Sequence, residues 1–130
     1  MVGMVVVSHS KKLAEGVVEL CKSMVQKNIP IIAAGGTNDG RLGTDAVKIV
    51  DAIKSVNQSN GIAIFVDLGS AILSAELAID MLSEDLAKQV KIIDAPLVEG
   101  CIASSIEISL ESSLEKVENT AKGSYKLRKL

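Results

Sequence analysis

Residues 4–10 read MVVVSHS, a short apolar run that ends at His9, the only histidine among 130 residues. An unbroken run of β-branched residues is typical of a strand that is covered on both faces, as in a parallel sheet. The polar triplet leads into an amphipathic helical pattern over about residues 10–26. The stretch therefore predicts a buried strand followed by a helix, with His9 at the junction.

Three further apolar runs of the same character complete the predicted sheet. They occupy residues 30–34, 62–66 and 90–93, and a helical pattern lies between each run and the next. This alternation is the βαβ rhythm of an α/β fold. We predict an open, mainly parallel four-stranded sheet flanked by helices, with segment 123–130 as a tail or a short fifth edge strand.

Apolar residues at helical spacing predict four helices. The second is expected to start at Thr44 or Asp45 and the third near Ser70, and a long fourth pattern follows Pro96. The first helix is expected to turn its apolar stripe inward. The four stripes are, in chain order, Leu13, Val17, Leu20, Cys21, Met24 and Val25; Ala46, Ile49, Val50 and Ile53; Leu73, Leu77 and Met81; and Ile102, Ile106, Leu110, Leu114 and Val117.

Size and composition indicate a single domain over residues 1–130. A hydrophobic fraction of 48% supports a buried sheet, and no internal repeat or linker divides the sequence. No apolar run reaches the length of a membrane span, and the first residues lack the basic flank of a signal peptide. A cytoplasmic protein that does not engage a membrane is therefore expected.

Charge and residue types argue against several kinds of partner. A net charge of −2 gives no general attraction to nucleic acid, and two aromatic residues make no platform for stacking bases. Cys21 and Cys101 fall within apolar helical patterns and are predicted to be free, buried thiols. With one histidine and no CxxC pair, no metal site is expected.

Polar or glycine-rich residues follow each of the four predicted strands. They are His9 with its serine neighbours, then GGTNDG at 35–40, DLGS at 67–70 and DAPLVEG at 94–100. Structural interpretations exist for each: a histidine that only caps or packs, a glycine turn, a turn with a helix N-cap, and a proline that starts a helix. However, the carboxyl ends of parallel strands meet at one edge, where ligands bind in such folds. This convergence favours a functional site.

The chemistry that suits this edge is phosphoryl transfer through an imidazole. A neutral ring attacks phosphorus with one nitrogen while the other nitrogen keeps its proton. Asp67 is expected to accept a hydrogen bond from the protonated nitrogen of His9 and so fix the tautomer. The groups expected to hold the phosphoryl oxygens are the amides of Gly36, Thr37, Gly69 and Ser70 and the hydroxyls of Ser8, Ser10 and Thr37. Neither a metal nor a cofactor is expected.

Nucleotide-binding motifs do not occur in the sequence. There is no GxxxxGK[ST] stretch, and the glycines between positions 35 and 43 do not form G-x-G-x-x-G after a strand. A nucleotide site on this chain is therefore disfavoured.

Four of these stretches together resemble a known family. VVVSHS, AAGGT, FVDLGSA and DAPLVEG occur in the order typical of the DhaM family, the phosphohistidine-carrying subunits of phosphotransferase-system-dependent dihydroxyacetone kinases. That family is related in fold to the EIIA domain of the mannose-type sugar phosphotransferase system. The resemblance covers essentially the whole chain and implies the EIIA mannose-type fold.

The resemblance also implies a route for the phosphoryl group. His9 would accept it from the carrier protein HPr and pass it to ADP held by the nucleotide-binding subunit of the kinase, with Asp67 as supporting carboxylate. The residues implied to contact or flank the phosphoryl group are Gly36, Thr37, Leu68, Gly69, Ser70, Pro96 and Leu97. A homodimer is implied, and the HPr-like and enzyme I-like domains that some members carry are not expected here.

Three other functions stay open at this point. A sugar-specific mannose-type EIIA subunit shares the fold, although its loop after the third strand is typically longer and richer in glycine than residues 67–71. A regulatory interaction module would bind a partner without carrying phosphate. A small-molecule domain with a flavodoxin-like sheet would take its ligand at the same edge, but the few aromatic residues argue against a flavin.

Overall fold

Strands and helices alternate along the chain in the computed structural model, which describes residues 1–56 and 60–130. The strands are β1 (Gly3–Ser8), β2 (Ile31–Gly35), β3 (Ile62–Val66) and β4 (Val90–Ile92). The helices are α1 (Lys11–Ser23), α2 (Ala46–Ser55), α3 (Ser70–Asp80), α4 (Glu84–Ala87), α5 (Leu97–Ser109) and α6 (Leu114–Gly123). The prediction of an α/β fold is confirmed.

The four strands form one parallel sheet in the order β2-β1-β3-β4. In the register, Val7 pairs with Val66 of β3 on one side and with Ala34 of β2 on the other. Because the strands run in the same direction, the residues after β1, β2 and β3 emerge side by side. This register brings His9 next to Asp67.

Apolar layers cover both faces of the sheet, which is why its strands lack polar alternation. On one face Met4, Val6 and Phe65 pack with α1, α5 and α6, and on the other Val5 and Ile64 pack with α2 and α3. All six residues of β1 are buried. The strand that carries His9 is thus held at the centre of the sheet.

Apolar residues of α1 and α3 are exposed, and in α1 only Val17 and Cys21 of the stripe predicted to turn inward are buried. In α1 the buried residues are Ala14, Val17 and Cys21, whereas Leu13, Leu20 and Met24 are about half exposed. In α3 the buried side is made of alanines, which let the helix approach the sheet closely. The apolar stripe Leu73, Leu77 and Met81 is exposed instead.

The predicted long fourth helix is wrong, because it is two helices. Residues 110–113 separate α5 from α6, and Glu111 there has a φ of 60°, a left-handed conformation that ends a helix. Ser113 then caps α6 by accepting the N–H of Lys116 at 3.1 Å. The helix α4, capped by Ser83, was not predicted from the sequence.

A fifth strand is not formed by the C-terminal segment. Residues Ser124–Lys126 make a 3-10 turn, and the residues after it do not join the sheet, which has four strands in the described part of the chain. The prediction of a tail is therefore the correct alternative.

Both cysteines are free and buried, as predicted. Cys21 of α1 and Cys101 of α5 lie in the same apolar cluster on one face of the sheet. Within residues 1–56 and 60–130, no helix is both long and apolar enough to cross a membrane.

Candidate functional site

His9 lies directly between the end of β1 and the start of α1. Ser10 after it has an extended backbone, and its hydroxyl accepts the N–H of Leu13 at 3.2 Å, which caps the helix. The positive end of the α1 dipole and its free N–H groups therefore lie beside the imidazole. The His9 side chain is 29% exposed, so a partner can reach it.

Asp67 is the carboxylate partner of His9, as the sequence predicted. Its Oδ1 lies 2.9 Å from His9 Nδ1 and accepts the Leu68 N–H at 2.8 Å. Its Oδ2 accepts the His9 backbone N–H and the Ser8 hydroxyl, each at 2.9 Å. Four hydrogen-bond donors thus converge on one carboxylate that is 11% exposed.

These donors keep the Asp67 carboxylate ionised. Burial by itself raises the pKa of this carboxyl group, but the hydrogen bonds from the His9 backbone and ring, the Ser8 hydroxyl and the Leu68 N–H outweigh it. The net result is a pKa below the usual value. Asp67 is therefore an anion, and an acceptor only, at neutral pH.

An ionised Asp67 determines which nitrogen of His9 carries the proton. Since the carboxylate only accepts, the neutral ring donates from Nδ1–H, and Nε2 keeps its lone pair. Ser70 Oγ lies 2.9 Å from Nε2 and donates its hydroxyl proton to it. The chain Asp67–His9–Ser70 thus presents Nε2 as the nucleophilic atom.

Two unpaired backbone donors lie at the start of α3, beside this nitrogen. Among the residues that the structure describes, the N–H groups of Gly69 and Ser70 have no hydrogen-bond partner, whereas Ala71 N–H already bonds Leu68 O. Both amides belong to the N-terminal turn of a helix, where anions bind favourably. The structure thus places Gly69 and Ser70 at the edge of the site, and that their amides hold the phosphoryl oxygens stays a prediction.

Ser8, Gly36 and Thr37 do not have the free amide and hydroxyl donors that were predicted from the sequence. The Ser8 hydroxyl is fully buried and engaged, so it cannot reach a phosphoryl group. The Gly36 N–H donates to Ser8 O, and the Thr37 N–H donates to Arg41 O. The Thr37 hydroxyl bonds within the same loop, to Asp39 and Arg41. These residues shape the edge, and they do not supply open donors.

Pro96 and Leu97 begin α5, after the last strand of the sheet. Pro96 O accepts the Gly100 N–H at 2.7 Å, and Leu97 packs partly buried against the core cluster. In the described residues no hydrogen bond links this turn to His9, and β3 lies between β1 and β4. That Pro96 and Leu97 flank the site stays a prediction.

The loop 36–45 contributes contacts that the sequence did not reveal. Gly43 N–H donates to His9 O at 2.8 Å, and the Thr44 hydroxyl lies 2.6 Å from the Ser74 hydroxyl of α3. Gly36, Gly40 and Gly43 all have positive φ, which lets the loop fold back onto the strand ends. Their frequency between positions 35 and 43 was the available signal for such a loop.

Nothing in this site favours a metal ion. In the described part of the chain, no three His, Cys, Asp or Glu side chains group closely enough to hold one. The site instead combines one nucleophilic nitrogen, one carboxylate and two free amides. Chemically, it can take a phosphoryl group and hold it as a phosphoramidate.

The fold and the site define an open parallel α/β domain with a histidine–carboxylate pair at its strand ends. The sequence model of the family described as "PTS system fructose IIA component" (EIIA-man) matches residues 3–118. The chain therefore belongs to the EIIA-man family, and the sequence-based assignment to that fold is confirmed.

Several curated relatives are named as subunits of dihydroxyacetone kinases. The chain is 46% identical over 117 residues to "PEP-dependent dihydroxyacetone kinase 2, phosphoryl donor subunit DhaM" of Listeria innocua, covering 90% of this chain and 94% of that protein. It is 44% identical to the DhaM subunit of Providencia stuartii and 42% to that of Escherichia coli K12, covering 93% and 90% of this chain. The chain spans only 26% and 25% of the length of those two proteins.

A solved structure has the same fold. The crystal structure of a protein of unknown function, EF1359, superposes with a TM-score of 0.82 at 42% sequence identity. The match covers 93% of this chain and 92% of that one.

Proposed function

We propose that this domain is the phosphoryl donor subunit of a phosphoenolpyruvate-dependent dihydroxyacetone kinase, with His9 as the residue that carries the phosphoryl group. The observation that carries the proposal is the Asp67–His9–Ser70 chain, with Nδ1 and Nε2 each 2.9 Å from a partner oxygen. Relatives named as phosphoryl donor subunits DhaM, at 42–46% identity over nine-tenths of the chain, support the same role.

Phosphoryl uptake needs one bond to form and one to break. The Nε2 lone pair attacks phosphorus on the phosphorylated donor protein, and the donor's nitrogen leaves with the former bonding pair. The His9 ring retains its Nδ1 proton and becomes a cation, which the Asp67 carboxylate stabilises at 2.9 Å. Transfer onward reverses these roles, with a phosphate oxygen of ADP as the attacking atom.

The incoming phosphoryl group displaces the Ser70 hydroxyl from Nε2. Its oxygens then accept from the free N–H groups of Gly69 and Ser70 and from the released Ser70 hydroxyl. The Ser10 hydroxyl, whose proton is not used in capping α1, is a further donor at this edge. The N-termini of α1 and α3 favour the added negative charge.

The partners follow from this role. The phosphoryl donor is HPr, itself charged from phosphoenolpyruvate by enzyme I, and the acceptor is ADP on the nucleotide-binding subunit of the kinase. The domain acts as a homodimer. The relatives' printed names as phosphoryl donor subunits of dihydroxyacetone kinases support the kinase partner. HPr and the homodimer rest on the family resemblance.

Purified components test the proposal. The chain is incubated with phosphoenolpyruvate, enzyme I and HPr, and intact mass and acid lability of the product are measured. One acid-labile phosphate per chain is expected, and His9→Ala, folded by circular dichroism, is expected to take up none. Labelling of the His9→Ala variant would overturn the assignment, and sedimentation of the wild-type chain as a monomer would overturn the homodimer.

One finding favours a second candidate function. The matching family model is described as a fructose IIA component, which is a sugar-specific role. The two functions differ in the acceptor, so the phosphorylated chain is offered either ADP on the kinase subunit or a sugar-specific IIB protein. We expect the kinase subunit with bound ADP to dephosphorylate the chain rapidly, and the IIB protein not to do so. Transfer only to the IIB protein would establish the sugar-specific role instead.

A further inference from the structure

Ser8 is a fully buried serine whose hydroxyl has two partners. At the last position of β1, it donates to Asp67 Oδ2 at 2.9 Å and accepts the Ser10 N–H at 3.0 Å. A hydroxyl that is buried and satisfied in both its roles fixes the geometry of its neighbours. Ser8 therefore acts on the site without touching a ligand.

The group that Ser8 fixes is the carboxylate of Asp67. The terminal torsion of an aspartate is broad, so a carboxylate rotates readily unless both oxygens are held. Oδ2 has two partners, the backbone N–H of His9 and the Ser8 hydroxyl. In the described residues the Ser8 hydroxyl is the only side-chain group bonded to that oxygen.

We propose that Ser8 is a positioning residue that holds Asp67 with Oδ1 against Nδ1 of His9, so that Nε2 is the nitrogen left free to accept the phosphoryl group. Without this hydroxyl Oδ2 keeps only the His9 backbone N–H, so the carboxylate turns more readily and its bond to the ring weakens. The neutral ring is then no longer restricted to the Nδ1–H tautomer. The consequence for phosphoryl uptake rests on the function proposed above, whereas the consequence for the tautomer does not.

The carboxylate's electrostatics agree with this role. The Ser8 hydroxyl is one of the donors that lower the pKa of Asp67 against the effect of burial. Ser8 also links three strand ends, since its carbonyl oxygen accepts the Gly36 N–H at 3.1 Å. Replacing Ser8 therefore affects stability as well, and the test needs a readout that stability alone does not change.

The tautomer of His9 is a readout that stability alone does not change. The chain suits this measurement because His9 is its single histidine. Ring ¹⁵N shifts of the chain labelled at histidine belong to His9 without further assignment. Wild type is expected to show a protonated Nδ1 and a bare Nε2 in the neutral ring. Ser8→Ala is expected to show a mixture of tautomers and phosphoryl uptake from phospho-HPr slowed about tenfold, the scale of one lost bond to a charged group.

Ser105→Ala is the matched control. Ser105 is also a buried serine, and its hydroxyl bonds Cys101 O at 2.8 Å within α5. It is expected to change stability only, and both tautomer and uptake rate are expected to stay as in wild type. If Ser8→Ala does not fold, Ser8→Cys keeps similar volume with a weaker donor, and it carries the same expectation.

Native ring shifts in the folded Ser8 variant, with uptake within about twofold of wild type, would overturn the proposal even if the variant melts earlier. A wild-type ring that already mixes tautomers would overturn it too. Failure of His9 to accept phosphate in wild type would instead reject the proposed function, and the tautomer comparison would still decide the role of Ser8.

Discussion

Replacing Asp67 by asparagine tests whether the negative charge of this carboxylate supports phosphoryl uptake by His9. All four groups around the carboxylate are donors: His9 Nδ1–H, the His9 and Leu68 backbone N–H groups and the Ser8 hydroxyl. An amide has only one accepting oxygen, so its NH₂ group faces two donors in either orientation. The variant also loses the negative charge that stabilises the cationic ring formed on phosphoryl uptake.

The expected loss of phosphoryl-uptake rate follows from the weakened hydrogen bond between His9 Nδ1–H and residue 67. A hydrogen bond to a charged group contributes about 1.5–3 kcal/mol. If that contribution is made mainly after the ring becomes cationic, Asp67→Asn slows uptake by roughly 10- to 150-fold. Single-turnover uptake from phospho-HPr, followed by quenched-flow mass spectrometry, measures this rate directly.

Asp94→Asn is a matched control for the same charge change. Asp94 is exposed beyond β4, and its replacement is expected to leave the rate within about twofold of wild type. A folded Asp67→Asn variant with wild-type uptake would refute the view that this carboxylate supports the ring.

Three further predictions concern single residues. Ser70→Ala removes the donor 2.9 Å from Nε2, so the phosphorylated chain is expected to hydrolyse several times faster, and an unchanged half-life would count against a Ser70 bond to the phosphoryl group. Gly35→Ala places a Cβ 2.7 Å from Ser10 O and is expected to lower the unfolding free energy by roughly 1–3 kcal/mol in urea titration, whereas Gly16→Ala, with open space around it, is not. Because the pKa of Asp67 is lower when folded than unfolded, its stabilising effect is present above the unfolded value, near 4, and is lost as the pH falls through the folded value. The stability difference between wild type and Asp67→Asn is thus expected to shrink below about pH 4, and a constant difference would contradict the lowered pKa.

The sheet could be predicted from sequence because its signals are local. Each strand is a short apolar run, and parallel pairing follows from the helices between the runs. The exposure of Leu73 and Leu77 could not be predicted in this way, because alanines on the opposite side of α3 set how closely the helix approaches the sheet. The break at Glu111 depends on one backbone conformation inside an otherwise continuous apolar pattern.

The pairing of His9 with Asp67 was also predictable, since strand ends in a parallel sheet meet at one edge. The hydrogen-bonding state of each backbone donor at this edge was not predictable. Whether a backbone N–H is free, as in Gly69, or bonded, as in Gly36, depends on how the neighbouring loop closes. The burial of the Ser8 hydroxyl likewise depends on packing among three strands, which residue types do not reveal.

The claim that His9 carries the phosphoryl group on Nε2 is tested most directly by ¹⁵N and ³¹P NMR of the phosphorylated chain labelled at histidine. We expect phosphorus–nitrogen coupling to Nε2, with Nδ1 still protonated and bonded to Asp67. Phosphate on Nδ1, or on any residue other than His9, would contradict the mechanism.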